Sequence, residues 1–312
     1  MALAEGQAVL IGLDWGSTSL RAFLIGAQGD VLDTRSSAAG ASTLLGAPAF
    51  EAALNGVLGD WQQRGLPMLG CGMVGSKHGW REAAYARCPV DVSALAAQSV
   101  RAGLAIVPGL IHAPADAPPD VMRGEETQIF GALALHPQWA EDACIVLPGT
   151  HSKWARVEAG RVTGFATHMT GELYALLRTQ SVLGRLMVDG PSDDAAFAGF
   201  AAFAAFAAGV DAAREGAGLG LAHQLFAVRT LGLTERWPGS SLADYLSGLL
   251  IGDEVRAGIA AHGAPRLLIG EVALCARYAT ALRRFGVSAP LTLNNTAPTG
   301  LWTVATAMGL LA

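Results

Sequence analysis

One pattern occurs twice in this chain and restricts its fold more than any other feature: an apolar strand that breaks into a turn of glycine and hydroxyl residues. The first copy runs Val9-Leu10-Ile11-Gly12-Leu13-Asp14-Trp15-Gly16-Ser17-Thr18-Ser19-Leu20-Arg21. The second runs Cys144-Ile145-Val146-Leu147-Pro148-Gly149-Thr150-His151-Ser152-Lys153-Trp154. Each is followed by another strand and another glycine turn, at Gly29 and Gly160, with similar separations from turn to turn. Repetition on this scale predicts two related domains facing each other. Two Gly/Ser/Thr turns facing one cleft can hold the phosphates of a nucleotide with backbone amides and hydroxyls.

The 312 residues suffice for two domains of ordinary size. With 52% hydrophobic and 15% charged residues, a large core is expected and long disorder is not. The net charge of −5 without a basic block argues against nucleic acid as a partner. Cys71, Cys88, Cys144 and Cys275 are widely spaced and form no CxxC pair, against structural zinc. No basic segment followed by an apolar one opens the chain, so no secretory signal is read, and a reducing cytoplasm is the expected compartment. The apolar run from Ala195 to Val210 is alanine-rich and reads as a packed helix rather than a membrane span.

Strands are predicted from Val9 to about Ser37 in three runs, at 67–73, 104–109, 143–169 (the second hairpin set), 266–270 and 291–293. Helices are predicted at 48–64, 124–135, 172–186 with Thr170-Gly171 as its cap, mostly through 193–232, then at 242–261, 271–285 and 301–311. Strands alternating with helices indicate an α/β class. The domain boundary is placed near Pro137, giving domains 1–137 and 138–312.

Several residues carry candidate chemistry. Asp14 ends a buried strand beside a glycine turn, where a carboxylate can hold a hydrated Mg2+ or merely shape the loop. Gly149, Thr150, Ser152 and Lys153 form the second turn, fit for an anion but also a common hairpin turn. The run Gly70 to Lys77 approaches a P-loop but places Gly-Ser-Lys where Gly-Lys-Ser/Thr is required, so a P-loop is rejected. That loop gathers Lys77, His78 and Arg81, which can bind an anionic group or form a solvated basic surface. Glu125 and Glu126 open a helix, either complementing its dipole or serving as a general base. Gly270 ends a strand where a flat ring can lie on the backbone.

At these residues the chain resembles the actin/hexokinase/Hsp70 ATPase superfamily of sugar kinases. Leu13 to Arg21 looks like its first phosphate motif, Leu147 to Trp154 like its second, and Ile269-Gly270-Glu271-Val272-Ala273 like its adenosine motif, with Gly-Glu in place of the usual double glycine. Gly72-Met73-Val74-Gly75-Ser76, Met122 to Gln128, Leu147 to Trp154 and His168 to Glu172 resemble the signature of the 2-dehydro-3-deoxygalactonokinase family. The resemblance implies two ribonuclease H-like domains with ATP in the cleft between them. It also implies phosphorylation of 2-dehydro-3-deoxy-D-galactonate at its terminal hydroxyl, supplying a later aldolase in galactonate catabolism. On this reading Asp14 organises Mg2+. Gly16, Ser17 and Thr18 serve the first phosphate hairpin, and Gly149, Thr150, Ser152 and Lys153 the second. Gly270 borders the adenosine, and Lys77, His78 or Arg81 pairs with the substrate carboxylate. Relatives place a catalytic Asp after the glycine of Gly124-Glu125-Glu126, so Glu125 is the expected base and Glu126 its fallback. The alternatives are a kinase of another sugar or sugar acid, a sugar sensor, or an actin-like assembly protein. A homodimer is left open.

Overall fold

A strand that is apolar on both faces belongs in the middle of a sheet covered on both sides. The first motif opens with such a strand: Leu10, Ile11, Leu13 and Trp15 are all essentially out of solvent. The computed structural model describes residues 7–101, 103–188 and 200–311. Along the chain come β1 (Ala8–Trp15), β2 (Leu20–Gly26), β3 (Val31–Ser37), α1 (Ala47–Leu58), β4 (Met68–Gly72), β5 (Ala86–Arg87), α2 (Val92–Gln98), β6 (Leu104–Ile106), β7 (Leu110–His112), β8 (Asp120–Met122) and α3 (Glu125–Leu135). There follow β9 (Asp142–Leu147), β10 (Ser152–Glu158), β11 (Arg161–His168), α4 (Thr170–Gln180), α5 (Phe200–Glu215), α6 (Leu221–Leu233), α7 (Leu242–His262), β12 (Leu267–Ile269), α8 (Val272–Arg284), β13 (Leu291–Leu293) and α9 (Ala297–Ala307).

The two five-stranded sheets have the same construction. Their orders are β3-β2-β1-β4-β6 and β11-β10-β9-β12-β13. In the first, β2 runs antiparallel to β1 and to β3, whereas β4 runs parallel to β1 and β6 parallel to β4. In the second, β12 runs parallel to both β9 and β13. The repeated hairpin is therefore the antiparallel half of each sheet, and the crossover connections build the parallel half.

By contact the chain falls into two compact units. The first holds residues 1–143, 155–165 and 295–312, and the second holds 144–154 and 166–294. The first has its core around Trp15, Phe50, Trp61 and Ile106. The second has one cluster around Trp154, Phe206 and Tyr278 and another around Leu242, Leu246 and Leu249.

Several expected elements shift for local reasons. The first helix stops at Leu58 and continues only as a 3-10 turn through Arg64, since Gly59 leaves the helical region at φ 53°. Met169 takes the cap position of α4, so Thr170 and Gly171 are its first residues rather than its cap. The alanine-rich segment becomes two helices broken across Gly216, Gly218 and Gly220, and its expected start at 193–199 lies outside the described residues. The last helix starts at Ala297, four residues before the expected Leu301, because Pro298 sits in its first turn. The small sheet β5-β7-β8 and helix α2 had no sequence expectation; strands of two or three residues carry too little pattern to read. No helix of the described residues is long and apolar enough to cross a membrane.

Helix α9 lies against α3 at very short range. A Cβ on Gly300 would come within 1.9 Å of the Thr127 carbonyl oxygen, and one on Gly131 within 2.1 Å of that of Thr296. Gly300→Ala forces the two helices apart. It is expected to lower the unfolding free energy by about 1–3 kcal/mol. Urea unfolding measures this, and an unchanged midpoint and slope would show that the helices can separate without cost.

Candidate active site

In open α/β sheets, binding groups gather at the carboxyl ends of the parallel strands. In the first unit the register pairs Asp14 with Cys71 and Trp15 with Gly72 at that end of β1 and β4. Helix α3 begins against the same edge, since a Cβ on Gly124 would meet the Gly72 Cα at 3.3 Å. Glu125 accepts the Arg123 backbone N–H at 3.0 Å. Glu126 accepts the Gly124 N–H at 2.6 Å and the Thr127 hydroxyl at 2.9 Å. The first turn of α3 is thus closed by its own carboxylates, as a helix N-terminus favours.

The electrostatics follow from burial. Glu126 is wholly buried. Burial first, then the charge of Glu125, pushes its carboxyl up to about 8, against the bonds from Thr127 and Gly124. Burial also raises Asp14, opposed by the charge of Arg21, 3.9 Å away, and by a 3.3 Å hydrogen bond from Asn295. The Cys71 thiol is pushed well up, by burial and then by Asp14 and Glu126, with Glu125 adding less. Asp14, paired with Cys71 across β1 and β4, and the two glutamates thus all act electrostatically on one buried thiol.

The Gly-flanked loop is fixed at its centre and open at its rim. Trp80 stacks on Phe50 at 6.0 Å and meets Trp15 edge-on at 6.2 Å. Backbone bonds from Trp80 to Val74 and from Ala83 to Gly75 close the loop. Lys77, His78 and Arg81 lie on its exposed side, with Arg81 over the Trp80 ring. Gly16 bonds back to Ser19 across the first hairpin turn, and Ser17 and Thr18 are exposed at its tip.

In the second unit a cavity of about 490 Å³ opens beside the second hairpin. Gly149 and Thr150 line it together with Thr170 and Gly171 at the start of α4, and Leu250, Ile251 and Leu274 supply apolar wall. The hairpin and α4 touch so closely that a Cβ on Gly171 would stand 2.5 Å from the Gly149 carbonyl oxygen. Only glycine lets the helix start and the hairpin turn approach this closely, and the Glu172 N–H donates to the Thr150 carbonyl across the contact at 3.0 Å. Gly270 ends β12 at the same edge, its N–H bonded to the Leu293 carbonyl. Glu271 caps α8 by accepting from Ala273 and Leu274, which holds its carboxyl below the usual range.

The expected turn roles of Ser152 and Lys153 need correction. Both lie on β10 and are buried. The Ser152 hydroxyl is 2.8 Å from that of Tyr278, which in turn donates to Glu254 at 2.6 Å, and Trp154 donates to the same carboxylate at 2.8 Å. Lys153 donates to the Thr167 hydroxyl. Ser152 therefore braces the strand from inside. The structure brings Asp14, Glu125 and Glu126 together in one unit and Gly149, Thr150 and Gly270 in the other. Sequence reasoning missed Asn295, which holds Asp14, and Arg123. The signal for Asn295 was its place just before Ala297-Pro298, whose N–H its side chain caps at 2.9 Å.

A profile of the family described as 2-keto-3-deoxy-galactonokinase matches residues 14–304. The 2-dehydro-3-deoxygalactonokinase of Escherichia coli (strain K12) is 38% identical over 294 residues, covering 92% of this chain and 94% of that protein. The crystal structure of a Sinorhizobium meliloti protein assigned as a 2-dehydro-3-deoxygalactonokinase superposes with a TM-score of 0.85 at 34% identity, over 96% of this chain and 99% of that one. An activator of the 2-hydroxyisocaproyl-CoA dehydratase from Clostridium difficile has a TM-score of 0.51 at 13% identity, over 97% of this chain and 96% of that one, which is a likeness of fold alone. With two five-stranded α/β sheets and a family match over nearly its whole length, the chain belongs to the 2-keto-3-deoxy-galactonokinase family.

Proposed function

We propose that this kinase transfers the γ-phosphoryl group of ATP to the terminal hydroxyl of 2-dehydro-3-deoxy-D-galactonate, forming the 6-phosphate used in galactonate catabolism in the cytoplasm. The observation that carries the chemistry is the gathering of Asp14, Glu125 and Glu126 around Cys71 at one strand edge. Phosphoryl transfer needs positioning and charge neutralisation more than covalent chemistry.

The second unit would take the nucleotide. Gly149 and the exposed Thr150 border the cavity on the side where the phosphates would lie, and the apolar wall suits a flat base. Since Glu271 occupies the amides that open α8, the phosphates are left to the hairpin side of the cavity. In the first unit, Ser17 and Thr18 would add donors from the exposed turn, and Lys77, His78 and Arg81 would attract the anionic acceptor.

Asp14 fits an Mg2+ site. It is a hard oxygen donor whose charge is disfavoured by burial, and a cation relieves that cost. When bound, Mg2+ neutralises phosphate charge. The base that touches the hydroxyl must be reachable. Glu125 is partly exposed, whereas Glu126 is sealed and largely protonated near neutral pH. Glu125 then takes the hydroxyl proton, the new P–O bond forms, the bond between the β- and γ-phosphates breaks, and ADP leaves. Protonated Glu126 spares Glu125 a like charge beside it.

A coupled ADP-release assay across 2-keto-3-deoxy sugar acids tests the substrate. The D-galactonate derivative should give the highest kcat/KM, and a clear preference for another acid or neutral sugar would replace it. Glu125→Gln should lower kcat by about 10²–10⁴-fold with KM for ATP preserved, and Glu126→Gln should cost less. The reverse ranking moves the base to Glu126.

Glu126 also makes a stability prediction. Its carboxyl is raised from 4.5 to about 8 in the fold, so its stabilising contribution is fully present below pH 4.5 and lost as pH rises through about 8. Glu126→Gln removes that dependence. Relative to wild type, the variant should gain stability between about pH 5 and about pH 9. A wild-type-minus-variant difference that stays constant across those two conditions in urea unfolding would contradict it.

A further inference from the structure

We propose that Arg123 is the residue that binds the carboxylate of the acceptor, an inference that rests on the keto-acid kinase reading. Arg123 immediately precedes the Gly124-Glu125-Glu126 turn. Its Nε and Nη1 are buried and have no hydrogen-bond partner among the described residues. Two other arginines carry buried nitrogens without partners, but each has an aspartate at hand: Arg256 has Asp253 and Arg277 has Asp244. No carboxylate pairs with the Arg123 guanidinium among the described residues. A buried cation whose donors are unmet is costly, and an anionic ligand removes that cost.

The guanidinium is also held in place from several sides. Its Nη2 donates to the Ala83 carbonyl at 2.8 Å. Its carbon lies 4.4 Å from the centroid of the Tyr85 ring. On another side is Gly75, where a Cβ would come 2.9 Å from Nη1. Ala83 and Gly75 are bonded to each other across the basic loop, so the loop's closure and the position of Arg123 are one arrangement. A fixed planar fork matches a carboxylate better than a mobile ammonium does. The exposed Lys77, His78 and Arg81 are screened by water and hold an anion weakly.

The backbone ties this anchor and the base to one turn. The Arg123 N–H is bonded to the Glu125 carboxylate, so anchor and base share one rigid turn. A 2-keto acid has its anion at one end and its reacting hydroxyl at the other. Held by Arg123 at the acid end, it presents the hydroxyl end to a base whose position is tied to the same turn. Such an anchor would favour sugar acids over neutral sugars.

The test compares 2-dehydro-3-deoxy-D-galactonate with its neutral primary amide as acceptors, in wild type, Arg123→Gln, Arg123→Lys and Gly75→Ala. Arg123→Gln should raise KM for the acid by about 10- to 100-fold, leaving KM for ATP and KM for the amide unchanged. Arg123→Lys should recover only part of the loss. Gly75→Ala keeps the arginine but displaces its fork, so it should raise KM for the acid in the same selective way, and it carries the test if Arg123→Gln does not fold. An unchanged KM for the acid in a folded variant, or equal losses for acid and amide, overturns the proposal. Turnover of neither compound by wild type overturns the kinase reading as well, which separates the two failures.

Discussion

The parallel pairing at the centre of each sheet is the constraint on which the rest depends. Because β4 is parallel to β1, and β12 to β9, the chain must leave both members of each pair at the same edge. Asp14 and Cys71 end up side by side for that reason, as do the Pro148-Gly149 turn and Gly270. The antiparallel hairpins bring the glycine turns to those same edges. Each motif thus lies where the backbone leaves the sheet at its carboxyl edge.

Buried carboxylates divide into two kinds here. Glu254 is nearly sealed, yet Trp154 and Tyr278 both donate to it, and Tyr278 passes the connection to Ser152. That network ties β10, α7 and α8 together behind the cavity of the second unit, and burial raises its carboxyl. Glu126 is also hydrogen-bonded but has an acid neighbour, so burial and repulsion act together. The first arrangement holds a shape. The second disfavours charge on the buried Glu126.

Most of the sheet framework was legible because strand, glycine turn and second strand recur with similar spacing. Asp14, Glu125, Glu126, Gly149 and Thr150 could be picked out from their places at element ends. What was not legible depends on contacts distant in sequence. Ser152 and Lys153 were assigned to the turn in sequence, but the strand resumes at Ser152, two residues earlier than that pattern suggests, and buries both. Arg123 looked like an ordinary residue before a helix, and only the positions of Ala83, Tyr85 and Gly75 reveal that its fork is fixed. Asn295 was hidden by placing the last helix four residues late, which left its capping role without a helix to cap.

Helix α9 has a consequence for the order of assembly on the ribosome. It belongs to the first unit, although residues 166–294 of the second unit are made before it. Its partner α3 and the strand carrying Asp14 emerge long before, and Asn295 stands 281 positions after the aspartate it holds. The second unit can therefore gather its core while the first still lacks a wall. Throughout that interval the α3 face that will receive Gly300 stays uncovered. The acidic end of β1 gains its asparagine clamp only when synthesis has passed the second unit entirely, so the second unit can be in place before the carboxylate end of the first is finished.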